Sequence, residues 1–334
     1  MTKAIEPLQA IPTNIITGFL GVGKTSAILH LLKNKPEQER WAVLVNEFGE
    51  IGVDGALFGA KHSEQTGVYI SEVPGGCMCC AAGLPMKIAL NELIRRSKPD
   101  RLLIEPTGLG HPKEVLKALS ESHYQSVLDI QKTITLVDAR NLAEPRYTEH
   151  ETFNQQLVIA DIVVGNKADL YGESDRHNLE SYVAQLSKAQ VDIVLTEYGA
   201  VDYNLLEGKT GYDLSRLHHH HHHEPSSRPL AGEQELPSSG VIKAVNEGEG
   251  FISVGWRIVP SKIFSYEKVR QFVEQTNSER LKAVFITEKG IYSYNKTREG
   301  IQEWVLDEYP ESRIEIISQK ESRHWSSDLF NCLA

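Results

Sequence analysis

From about Pro12 to Gln190 the chain alternates short, continuous apolar runs with stretches of helical period. The runs predict strands at Asn14–Thr17, Trp41–Val45, Val68–Val73, Arg101–Ile104, Thr133–Val137 and Asp161–Val164. Several are rich in Val and Ile with no polar alternation, the pattern of strands covered on both faces. Between them, Thr25–Lys33, Leu84–Arg96, Pro112–Leu119 and Arg176–Leu186 read as helices. Strand and helix in alternation imply an α/β domain on a mainly parallel sheet.

The pattern breaks between about Ser215 and Gly240, where a histidine run is followed by a polar Pro/Ser stretch with too little apolar content to pack. Beyond it a smaller unit reads as strand (Phe251–Val259), helix (Tyr266–Gln275), strands (Leu281–Thr287 and Gly290–Tyr294) and a late strand (Ile314–Ile317). An α+β sandwich fits that order. The expected organisation is a first domain over residues 11–214, a His-rich linker over 215–240 and a second domain over 241–334.

Composition narrows the function classes. A chain of 334 residues is long enough for two domains. A formal net charge of -10 argues against a general nucleic-acid binder, which needs a basic footprint. Met1–Ala10 lacks the apolar core of a secretory signal, and no stretch approaches a bilayer-spanning length, so the expected location is cytoplasmic, with no membrane partner. Three of the four cysteines, Cys77, Cys79 and Cys80, crowd together while Cys332 lies far away. In a reducing compartment such a cluster points to metal or redox chemistry rather than to a disulfide frame.

The run Gly18-Phe19-Leu20-Gly21-Val22-Gly23-Lys24-Thr25 matches a phosphate-binding loop in full and lies between a predicted strand and a predicted helix. Glycines let backbone N–H groups turn toward phosphates, and the helix that follows, from Ser26 on, adds its positive N-terminal end. Lys24 would reach the outer phosphates and Thr25 would hold Mg²⁺ through its hydroxyl. At the end of a later strand, Asn166-Lys167-Ala168-Asp169 places a carboxylate that can accept from N1–H and the exocyclic amine of guanine, a donor pair adenine lacks. GTP is therefore expected over ATP. Glu105 opens Glu105-Pro106-Thr107-Gly108 at another strand end, where a carboxylate faces Mg²⁺ and its water shell or orients the attacking water. Glu47, Glu50 and Asp54 lie in the loop after Trp41–Val45, where a switch segment would sense a γ-phosphate; they could serve Mg²⁺, a second metal or solvent alone.

Cys77, Cys79 and Cys80 are soft donors that suit zinc far better than Mg²⁺, with Co²⁺ or Ni²⁺ as further candidates. No second cysteine pair is available to close a tetrahedron, so a carboxylate, a histidine or water must complete it; Glu50 and His111 are the candidates. An incompletely closed site releases metal readily, which favours transfer, although a structural zinc and a redox thiol cluster stay open. His218, His219, His220, His221, His222 and His223 form either a native metal-collecting loop or an inserted tag.

Taken in order, Thr17–Thr25, Asn46-Glu47-Phe48-Gly49-Glu50, Gly76-Cys77-Met78-Cys79-Cys80, Glu105-Pro106-Thr107-Gly108 and Asn166-Lys167-Ala168-Asp169 resemble the CobW-type metal-handling GTPases, of the class that includes UreG and HypB. Gly108-Leu109-Gly110-His111-Pro112 and Ser312–Ser318 look like the zinc-binding YeiR subgroup. The resemblance is dense in the first domain and thin in the second. It implies a SIMIBI-class P-loop GTPase domain, a smaller CobW-type α+β domain and a metallochaperone that couples slow GTP hydrolysis to metal transfer. Its partners would be GTP, a divalent metal, a client metalloprotein and, in some settings, a second copy of the chain. The resemblance puts the metal motif on Cys77, Cys79 and Cys80, with Glu50 as a candidate ligand. A GTP-switched binding module with structural zinc, and an assembly GTPase for a nickel or cobalt enzyme, are the alternative readings.

Overall fold

The structure, a computed structural model, describes residues 10–45, 66–73, 84–187, 191–214, 236–248, 250–306 and 308–334. These fall into two compact units, the first ending within the described residues at 214 and the second beginning at 236.

The first unit is a parallel sheet with helical connections. In chain order its elements are β1 (Ile11–Gly18), α1 (Lys24–Lys33), β2 (Trp41–Val45), β3 (Val68–Glu72), α2 (Leu84–Ser97), β4 (Arg101–Glu105), α3 (Pro112–Leu119), β5 (Leu128–Ile130), β6 (Ile134–Val137), α4 (Pro145–Thr148), α5 (Glu151–Val158), β7 (Ile162–Gly165), α6 (Asp175–Leu186) and β8 (Asp192–Leu195). The strands lie in the order β3-β2-β4-β1-β6-β7-β8, and β5 pairs with the first half of β1. Every pairing is parallel. After β1 the chain moves outward to β2 and β3, returns to insert β4 beside β1, then crosses to β6 on the other edge. The order therefore reverses at β1, and in open α/β sheets ligands bind at the carboxyl ends of the strands at such a switch point. Gly18 and Glu105, the last residues of β1 and β4, both sit there.

Burial explains why these segments are strands. All five residues of β2 and all five of β4 are buried. Ile15, Leu44, Leu102 and Ile104 pack into one cluster with Met86, Leu90 and Leu93 of α2 and with Leu116 and Leu119 of α3. Each such side chain contributes about 1.5–3 kcal/mol by leaving water. At the opposite end of the sheet from Gly18, Arg101 is only 4% exposed. It donates to Asn14 Oδ1 at 2.7 Å, pairs with Glu207, and lies 5.7 Å and 5.3 Å from the ring centroids of Trp41 and Tyr203, which also meet each other. Asn14 in turn donates to the Lys132 and Leu206 carbonyls, so one buried charge fixes the segment after β8 beneath the sheet.

The second unit holds β9 (Val241–Gly248), β10 (Phe251–Ile258), α7 (Tyr266–Gln275), β11 (Arg280–Thr287), β12 (Gly290–Thr297), β13 (Gly300–Leu306), β14 (Ser312–Ser318) and α8 (Trp325–Asn331). Its strands form one antiparallel sheet in the order β13-β12-β11-β14-β10-β9. Trp256, Phe285 and Ile314 share a core with Val269 and Val273 of α7 and with Trp325 and Leu329 of α8, so both helices cover one face. Lys296 of β12 donates to the carbonyls of Val273, Glu274 and Thr276, each at 2.8 Å, and closes the C-terminal end of α7.

The predicted strands and helices of the first unit are present with ends shifted by a few residues. The sequence reading does not include β5, α4, α5 or β8, nor β9, β13 and α8 in the second unit. Most of the expected linker, including all six histidines, lies outside the described residues, as do Glu47, Glu50, Asp54, Cys77, Cys79 and Cys80.

Replacing Arg101 with Ala orphans Asn14 Oδ1 and removes the cation beside the Trp41 and Tyr203 rings. The expected loss is about 2–4 kcal/mol in urea unfolding, with slowed exchange of the β1 and β4 amides lost first. In the second unit, burial alone would raise the Glu311 carboxyl, but hydrogen bonds and charge from Arg257 and Arg313 outweigh it and hold it below the ordinary carboxylate range. The unfolded chain then binds the proton more tightly, so this contribution is full above the unfolded value and is lost as pH falls toward the folded one. Unfolding followed between neutral pH and pH 3 should show that acid slope, and Glu311→Gln should flatten it.

Candidate nucleotide site

The loop from Gly18 to Gly23 is shaped by three left-handed glycines, Gly18 (φ 145°), Gly21 (φ 72°) and Gly23 (φ 97°). Two of them also have no room for a side chain. A Cβ on Gly18 would stand 2.4 Å from the Leu136 carbonyl oxygen, and one on Gly23 would stand 2.4 Å from Asn166 Nδ2. The apolar residues between them anchor the loop rather than touch a ligand through their side chains. Phe19 is 1% exposed and meets Tyr147, His150 and Phe153 edge to face, with centroids 4.8–5.9 Å apart. Val22 is fully buried. Leu20 packs against Gly108. What remains for a phosphate is main-chain N–H groups and the start of α1.

Lys24 opens α1 and is 3% exposed, with Nζ donating to the Phe19 carbonyl at 3.3 Å. It thus curls back across its own loop. Thr25 Oγ1 lies 3.5 Å from Glu105 Oε1, and Glu105 is fully buried. A hydroxyl and a carboxylate side by side, next to a phosphate cradle, are the hard oxygen donors that Mg²⁺ takes through one or two protein ligands and water. The residues present therefore fit the ion.

The loop after Glu105 closes on the cradle from the other side. A Cβ on Gly108 would lie 3.1 Å from Lys24 Nζ and 3.1 Å from the Leu20 nitrogen, a tight fit that a larger residue meets only if these neighbours give way. Gln156 of α5, 1% exposed, donates to the Gly108 carbonyl at 3.0 Å, and Gln155 meets His111 Nδ1 at 3.4 Å. Thr107 Oγ1 is buried with no hydrogen-bond partner among the described residues. His111 precedes α3 as its N-cap residue and is half-buried. Its distance to the cysteines falls outside the described residues.

At the base end, Asn166 is a strut. Its Nδ2 donates to the Val22 carbonyl at 2.8 Å and its Oδ1 accepts from Gly199 N at 3.0 Å. Its amide is thereby used within the protein. Lys167 is left-handed (φ 64°), with Nζ 3.6 Å from Asp138 Oδ2. Tyr171 Oη donates to the Asn166 carbonyl at 2.7 Å and accepts from Ala139 N at 3.0 Å; burial, first of all, raises its pKa far above the ordinary phenol value. Asp169 is exposed, free to meet a base from solvent.

Thus the structure brings Gly18–Ser26, Glu105 and Asn166 into one constellation. Sequence reasoning missed Gln156 and the segment Thr196–Ala200, which follows β8 and joins the same corner, and it quoted Gly108 in a motif without this role. The Thr196 carbonyl accepts from Ala168 N at 3.0 Å, and Gly199 is wedged so close to α1 that a Cβ there would stand 2.7 Å from Ala27 N. The available signal was Gly199 four residues beyond the short apolar run Ile193–Leu195.

The family model described as the CobW/HypB/UreG nucleotide-binding domain matches residues 12–194. The chain is 38% identical over 322 residues to the zinc chaperone YeiR of Escherichia coli (strain K12), covering 93% of this chain and 94% of that one. It is 32% identical over 231 residues to the zinc chaperone CobW of Pseudomonas aeruginosa, covering 61% of each. Among solved structures, Zn(II)-bound YjiA GTPase from E. coli aligns over 97% of this chain and 99% of its own, at 20% identity and a TM-score of 0.46.

Asn166→Ala removes the bond to the phosphate loop and the bond to Gly199 together. Calorimetric titration should show nucleotide binding weakened by about 2–3 kcal/mol, roughly 30- to 150-fold.

Proposed function

The chain belongs to the CobW/HypB/UreG family, and on that premise we propose that it is a cytoplasmic, zinc-handling GTPase that couples its nucleotide state to metal transfer to a client protein. The observation that carries the nucleotide half is the cradle of Gly18, Gly23 and Gly108 around Lys24, beside the Thr25–Glu105 pair. In this reading Lys24 and the loop N–H groups hold the phosphates. Thr25 and Glu105 hold Mg²⁺ or its water shell, and the ion supplies charge neutralisation at the β- and γ-phosphates. The fully buried Glu105 keeps a carboxylate where an attacking water is oriented. Asp169 reads the guanine edge.

The metal half rests on kinship and donor chemistry. A relative called a zinc chaperone shares 38% identity over nearly the whole chain, and Cys77, Cys79 and Cys80 supply soft sulfur donors. Zinc is the cargo of this scheme, with Glu50 or His111 completing its shell. In sequence the Asn46–Glu50 segment follows β2 and the cysteine run follows β3; β2 pairs in parallel with both β3 and β4, so these strands end on the same side of the sheet as Glu105. In our proposal occupancy of one pocket alters the other, and such coupling is reciprocal. We take residues 11–214 as the GTPase domain and 241–334 as a CobW-type domain.

Zinc affinity measured against a competing chelator, first with GDP and then with a non-hydrolysable GTP analogue, tests the coupling. The expected shift is about tenfold or more, which corresponds to about 1.4 kcal/mol. Cys79→Ser should weaken zinc binding while sparing GDP. Equal zinc affinity in both nucleotide states would instead favour a switch module whose zinc is structural.

A further inference from the structure

At the base end of the nucleotide site stands a residue that no motif marks. Tyr198 is 79% exposed, more than any other large hydrophobic side chain among the described residues. Its backbone is left-handed at φ 53°, a region that costs a non-glycine residue free energy. An aromatic ring held in water on a strained main chain adds nothing to folding; glycine would fit that conformation better.

Its neighbours fix where the strain is held. The Thr196 carbonyl is bonded to Ala168 N at 3.0 Å, within the segment that carries Asp169. Gly199 N is bonded to Asn166 Oδ1 at 3.0 Å, and the residue is pressed against Ser26 and Ala27 in the first turn of α1. Residue 198 is therefore pinned between the base-reading segment and the helix that receives phosphates. A nucleotide with its phosphates at Gly18–Thr25 and its base at Asp169 must pass along that line. On the same segment Lys167 is also left-handed, and its ammonium is held toward Asp138, so its aliphatic stem forms a fixed apolar strip.

The geometry points to a purine clamp, in which the Tyr198 ring covers one face of the base and the Lys167 stem the other, with Asp169 at the edge. The clamp rests on the nucleotide reading above and deepens it. Stacking is blind to the edge of the base, so Tyr198 supplies affinity for a purine nucleotide while Asp169 alone tells guanine from adenine.

The test is the affinity of the full chain for fluorescent GDP, compared among the wild type, Tyr198→Gly and Tyr198→Phe, with the thermal midpoint of each measured without nucleotide. Tyr198→Gly should bind GDP about tenfold more weakly, yet unfold at the same or a higher temperature, because glycine accepts the left-handed backbone. Tyr198→Phe keeps the ring and should stay within about twofold of the wild type. GDP binding by Tyr198→Gly as tight as by the wild type would overturn the clamp, as would a loss in Tyr198→Phe equal to that in Tyr198→Gly. Absence of GDP binding by the wild type would instead remove the nucleotide reading, and the clamp with it.

Discussion

One side-chain amide joins the two halves of the nucleotide site. Asn166 donates to Val22 in the phosphate loop and accepts from Gly199 in the loop after β8. The geometry at both ends depends on it. Gly23 is glycine because the Asn166 amide occupies the space a Cβ would need, and Gly199 is glycine because the α1 backbone does. A buried amide satisfied at both ends is rigid, since breaking either bond leaves a polar group without water. The distance between phosphate and base ends is thus set by the protein before any ligand arrives.

Much of the first unit was legible because its central strands are buried on both faces. Trp41–Val45 was read to the residue, since a continuous apolar run has one reading in a covered sheet. β8 was not, because it begins at the exposed Asp192 and its remaining residues are only half-buried at the sheet edge. β5 is three residues long and contains Asp129, and α5 carries Asn154, Gln155 and Gln156 where an apolar stripe was sought. Gln156 is polar because its partner is a main-chain carbonyl across the site, a contact 48 residues distant in sequence that no local pattern reports.

The candidate site divides in the same way. Gly18–Thr25 and Asn166–Asp169 are contiguous motifs whose chemistry is written in their spacing. The roles inside them were less visible: Asn166 and Phe19 belong to the motif yet turn their side chains into the protein. In the second unit the strands next to the helices were found, whereas edge strand β13, exposed along most of its length, gave no apolar alternation to read.

Phe19 carries a consequence for kinetics. With its ring keyed into the aromatic nest of Tyr147, His150 and Phe153, the loop does not depend on a ligand to hold its curve. A mould that survives emptying sacrifices little chain entropy each time it is refilled. Under the proposed function, reloading would then be set by encounter with nucleotide rather than by any refolding of the loop.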